Sequence, residues 1–129
     1  MKTSQSTLEA EIRSKLQAGE AFRLWGATAE ITCEWRMGEC HSNVEIWVSR
    51  NPGHKAVLGW AIIANCVAVL HSVVDTGLEI LDITPRLPAD MQRGLWFVRE
   101  PRPRQGLLNI LNVIEDWPVP TAEQDERAN

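Results

Sequence analysis

The chain has 129 residues, 44% hydrophobic and 23% charged, with a net charge of −4 and a pI near 5.4. This is one domain's worth of chain, and without clustered Lys and Arg it argues against a nucleic-acid partner. No apolar run approaches the roughly 20 residues of a membrane span, and the start Met-Lys-Thr-Ser-Gln-Ser lacks the apolar core of a signal peptide, so the expected location is the cytoplasm. Three cysteines, Cys33, Cys40 and Cys66, are an odd number, which in that compartment predicts free thiols.

Ser6-Thr7-Leu8-Glu9 fits a capping box, and Leu8, Ile12 and Leu16 share one helical stripe. A helix is predicted over 7–18, stopped by Gly19, with residues 1–5 loose. Phe22, Leu24 and Trp25 read as an apolar linker packed on the core. Residues 29–35 fit a short strand or a loop. Cys40 to Asn51 reads as a second helix, because Val44, Trp47 and Val48 follow Cys40 at helical spacing and Asn51-Pro52-Gly53 ends it.

Residues 56–63 and 67–74 are nearly continuous in hydrophobicity and rich in β-branched residues, as central strands are. Asp75-Thr76-Gly77 is a turn, 78–83 a third strand closed by Thr84-Pro85, 86–93 a loop, and 94–98 a fourth strand ended by Pro101 and Pro103. The spacing of Leu107, Leu108, Leu111 and Ile114 slightly favours a helix over 107–117. Residues 1–117 thus form one domain and 118–129 a polar tail. The fold class is α+β, with N-terminal helices packed on a small antiparallel sheet. Trp47, Trp60 and Trp96 are assigned to the core.

The chemistry-bearing residues fall in a suggestive order. Cys40 opens a helix, where the N-terminus and a nearby imidazolium would both favour the thiolate. His71 lies on a strand and Asp82 on the next. A two-residue turn at Thr76-Gly77 would set His71 directly opposite Asp82, close enough for a hydrogen bond. A loop one residue longer would turn Asp82 to the other face. A carboxylate behind the imidazole would fix its tautomer and stabilise its charged form. The free N–H groups at the helix start could stabilise an oxyanion. Gly38 would allow close approach there, and Trp35 or Asn43 could line the cleft.

Gly38-x-Cys40 at a helix start, His71 on a strand and the strand end Asp82-Ile83-Thr84-Pro85 resemble the papain-like superfamily, above all its transglutaminase-like branch. With Cys40-His41-x-Asn43-Val44 and Gly59-Trp60, the pattern also resembles a branch of small bacterial proteins. The match covers roughly residues 35–85. The resemblance implies a papain-like core and a Cys40–His71–Asp82 triad working through a thioester on amide or ester bonds of a protein or peptide. No cofactor is implied, and hydrolysis or deamidation is favoured over cross-linking. The chain is shorter than typical members, has no glutamine just upstream of Cys40, and has no tryptophan adjacent to it.

Other readings compete. The same fold could serve as a protein-binding or inhibitor module, its groove filled by a partner segment. Cys33, Cys40, His41, Cys66 and His71 include enough ligands for zinc, but none of their spacings is of the structural-zinc type, so no metal is expected. His41 would sit at the cleft rim, His54 in solvent, and Cys33 and Cys66 in packing.

Overall fold

A computed structural model of the chain describes residues 2–86 and 94–120. In chain order the elements are helix α1 (Gln5–Gln17), strand β1 (Phe22–Leu24), helices α2 (Ala29–Thr32) and α3 (Cys40–Arg50), and strands β2 (Lys55–Ala64), β3 (Val67–Asp75), β4 (Ile80–Leu81), β5 (Leu95–Arg99) and β6 (Ile110–Asn112). The α+β class and the antiparallel sheet agree with the sequence reading. Strand order is β1-β5-β2-β3-β4, and β6 also pairs with β3.

Helix α1 starts two residues earlier than the capping box predicted. Ser4 is the N-cap, accepting from the Thr7 N–H, while Glu9 pairs with Arg13 instead. The stop at Gly19 is a Schellman turn. Gly19 has φ +75, its N–H donates to Leu16 O, and the Glu20 N–H donates to Lys15 O. The N-terminus is not loose throughout, since the Thr3 N–H is bound to Gly106 O.

Side-chain parity along the strands organises the rest. Even-numbered positions of β2, β3 and β5 face the helices. Leu8, Ile12 and Leu16 of α1 pack on Trp60, Ile62, Ala68, Leu70, Trp96 and Val98, and Val44 of α3 packs on Val74 and Ile83. Odd-numbered positions face the other way. Leu24, Ala61, Val73 and Phe97 form a second buried cluster there. A parallel bridge joins Gly26, just past β1, to Asp82, just past β4, and the Ala27 N–H donates to Asp82 O. The two ends of the strand order therefore meet, and the odd face curls inward around Phe97.

Several expectations are corrected. Residues 22–24 are an edge strand on β5, not a linker. Residues 29–32 are a short helix. The predicted helix over 107–117 is absent: β6 occupies its centre, with Leu111 buried against Ala68 while Ile110 and Asn112 are exposed, an alternation of period two. The third strand shrinks to Ile80–Leu81. Its loop spans four residues, 76–79, closed by Thr76 N–H to Glu79 O and by an Asp75 side chain accepting from the Gly77 N–H. Cys33 is exposed rather than packed, and His54 accepts from Trp47 Nε1 instead of standing free. All three cysteines are free. Of the predicted loop, 87–93 lie outside the described residues, as do 121–129 of the tail. Among the described residues, no helix is long and apolar enough to cross a membrane.

Gly59 is the tightest point of the curled face. A Cβ there would run into the Phe97 ring and the Val98 carbonyl. Gly59→Ala is expected to cost about 1–3 kcal/mol by overpacking, read as a lower urea midpoint. An unchanged midpoint would mean that the Phe97 ring yields freely.

Candidate active site

Cys40 is the first residue of α3. Gly38, at φ +80, turns the chain into the helix, and Glu39 takes the N-cap position without a side-chain cap bond. The first-turn N–H groups consequently have no intrahelical acceptor. Asn43 locks this end in place. It is buried, its Nδ2 donates to Arg36 O (2.8 Å) and to Thr84 Oγ1 (3.0 Å), and its Oδ1 accepts from the Arg36 N–H.

Strand β3 supplies the base. On the edge away from β2, β6 covers its first part, where the Leu70 N–H reaches Asn109 O. Pairing with β4 begins only at Val74. Ser72 sits in the gap between them, and its N–H is hydrogen-bonded to the Cys40 thiol. The helix start is thus seated in an open stretch of sheet edge. His71, on the odd face, is the side chain that Cys40 meets there.

The His71 Nε2–Asp82 Oδ1 distance is 2.9 Å, which leaves Nδ1 as the ring nitrogen for the thiol. The pairing does not arise as a directly opposed pair. Val74 opposes Leu81, so the register is offset by two residues from the one expected, and a shift of two keeps Asp82 on the His71 face. The strand then ends, and the Gly26 bridge holds Asp82 in place.

Asp82 is 0% exposed, and its second oxygen is held by Arg86, with Nε at 3.0 Å and Nη2 at 2.6 Å. The same guanidinium donates to Leu24 O. Each residue of the segment has a separate task. Asp82 holds His71, Ile83 fills the space between Val44 and Val74, and Thr84 receives Asn43.

The charges reinforce one another. Burial opposes ionisation of the thiol, but the His71 hydrogen bond and charge, with the Ser72 N–H, outweigh it and lower the Cys40 pKa. Burial likewise opposes the His71 cation, yet Asp82 and Cys40 push its pKa up to about 9. Burial also works against the Asp82 carboxylate, and His71 and Arg86 more than offset it. His71 is thus held as the cation, and its charge, backed by the buried Asp82 carboxylate, favours the Cys40 thiolate.

These residues line a cleft of about 770 Å³ with Met37, Gly38, His41, Arg86 and Arg104. Of the residues proposed from sequence, Cys40, His71, Asp82 and Gly38 come together in it. Trp35 does not: it packs on Trp47, with Arg50 over its ring. Asn43 is a clamp behind the nucleophile rather than a cleft wall. His41 binds the Ser72 hydroxyl through Nδ1, and burial together with the charges of Arg104 and His71 holds its ring neutral at higher acidity than usual. Arg86 was missed. The available signal was an arginine four residues after the acid, just past Thr84-Pro85. Among the described residues, no group of three His, Cys, Asp or Glu could hold a metal ion.

Compared with family models, curated proteins and solved structures, the chain matches none of the three.

Arg86→Gln leaves a buried carboxylate with one cation instead of two, and is expected to cost about 2–3 kcal/mol at neutral pH. Because the Asp82 pKa is lowered in the fold, its charge contributes stability above the unfolded carboxyl value and loses it as pH falls through the folded one. The gap between variant and wild type should therefore narrow as the pH falls through the carboxyl range. Denaturation midpoints across pH check this, and a gap constant down to about pH 3 would mean that Arg86 stabilises the fold by something other than the Asp82 charge.

Proposed function

We propose that the protein is a small cysteine enzyme of papain-like, transglutaminase-like type, acting on amide or ester bonds of a protein or peptide through a thioester. The observation that supports this best is the continuous chain of contacts from Cys40 to His71 to Asp82, contributed by a helix start, a strand and a strand end.

The chemistry follows from the arrangement. The Cys40 thiolate attacks the carbonyl carbon, forming a C–S bond and an oxyanion beside the first-turn N–H groups of α3. The oxyanion collapses, the bond to the leaving nitrogen or oxygen breaks, and the His71 imidazolium gives that atom its proton. Neutral His71 then takes a proton from water, whose oxygen attacks the thioester. The acid product leaves and the thiolate–imidazolium pair is restored. Asp82 keeps the ring oriented throughout and stabilises its cation. Hydrolysis, deamidation included, is favoured over cross-linking.

Two measurements test this. Alkylation of Cys40 by iodoacetamide, followed by mass spectrometry, should rise with pH through a midpoint below that of an ordinary thiol, because the fold lowers the Cys40 pKa. In His71→Ala it should follow an ordinary thiol, rising through about pH 8.5 or above. Incubation with a p-nitrophenyl ester should place an acyl group on Cys40 with release of nitrophenol, and Cys40→Ser should release none. A Cys40 that is unreactive while Cys33 or Cys66 is modified would sink the enzyme reading.

A further inference from the structure

The charges lining the cleft do not cancel. Cys40 and His71 are engaged with each other, and Asp82 is matched by Arg86. Arg104 remains. Among the described residues its charge partner is Glu45, 3.8 Å away, with both side chains largely exposed. Such a pair is weak and screened, so the guanidinium can turn to a ligand. A cationic cleft in a chain of net charge −4 is a local feature, not a consequence of composition.

Arg104 lines the same cleft as the nucleophile. Glu45 stands four residues after His41, one turn up the same face of α3, so a guanidinium at Glu45 lies about one 5.4 Å pitch from the level of His41. His41 follows Cys40 directly, and its ring senses the Arg104 charge. The loop that carries Arg104 is anchored. Pro101 and Pro103 stiffen it, the Leu107 N–H donates to Arg104 O, and Gly106, at φ +86, is held by the Thr3 N–H. The same cleft also presents apolar surface, with Met37 and Ile110 about half exposed.

We infer that Arg104 is a carboxylate-binding residue of this cleft, so that the acyl substrate carries a carboxylate close to the bond attacked and an apolar portion against Met37 and Ile110. This rests on the thiol-enzyme reading and narrows its substrate class. Arg104 binds substrate in this scheme and takes no part in proton transfer.

Two alkylating probes of nearly equal size separate the possibilities. Iodoacetate carries a carboxylate and iodoacetamide does not. Both report the same thiolate, so the ratio of their rates at one pH cancels any change in thiolate fraction. In Arg104→Gln the iodoacetate-to-iodoacetamide ratio at Cys40 should fall about fivefold, the worth of an exposed ion pair. Arg104→Lys should recover most of it. Lys55→Gln, which removes one exposed charge on β2, should leave the ratio unchanged. A ratio unmoved by Arg104→Gln, with iodoacetamide still fast and still dependent on His71, would overturn this inference alone. A Cys40 slow toward both probes in the wild type would overturn the thiol-enzyme reading beneath it. An equal fall in Lys55→Gln would reduce the effect to the overall field of the protein and also overturn the inference.

Discussion

A carboxylate shut away from water is the constraint on which the site depends. Asp82 is fully buried, and an unpaired charge there would cost several kcal/mol. It is tolerated because each oxygen meets a cationic donor, His71 on one side and Arg86 on the other. That requirement reaches far along the chain. Strand β4 must end early so that Asp82 can leave the ladder. Arg86 must fold back toward Leu24. The bridge at Gly26 must hold the segment against β1. The closure of the curled sheet and the orientation of the histidine are one arrangement.

The second constraint is an unfinished sheet edge. Backbone N–H groups along an open edge need partners. On β3, β6 serves one end and β4 the other. The N–H between them, on Ser72, is met by sulfur. This places the helix start, where the thiolate is favoured by the helix dipole, against the one strand that carries a histidine on its inner face. The Asn43 clamp to Thr84 then ties nucleophile and acid segment to a common reference.

Parity keeps packing and chemistry apart. Both longer helices cover the even face, where large side chains such as Trp60 and Trp96 fill the core. The odd face carries His71 and Asp82 beside a cluster centred on Phe97. Gly59, opposite His71, makes room for that ring. Bulk is removed at the position where the curled face is most crowded, and the cleft opens alongside.

Local pattern alone determined a good deal. The stripe Leu8, Ile12 and Leu16, the helix starting at Cys40, and the two long central strands are written in periodicity, which acts over neighbouring residues. The order of Cys40, His71 and Asp82 was also legible; the directly opposed His71–Asp82 pair was not, and the two meet because a hairpin register off by two still keeps side chains on the same face. Tertiary structure decided the rest. Residues 107–117 carry apolar residues at helical spacing, yet the open edge of β3 recruits 110–112 as a strand, since pairing outweighs a weak local preference. Arg86 and Arg104 look like ordinary surface arginines in the sequence. Arg86 stands four residues after Asp82, a spacing visible in the sequence, but only the folded chain buries that carboxylate against it and brings Arg104, distant in sequence, to the cleft.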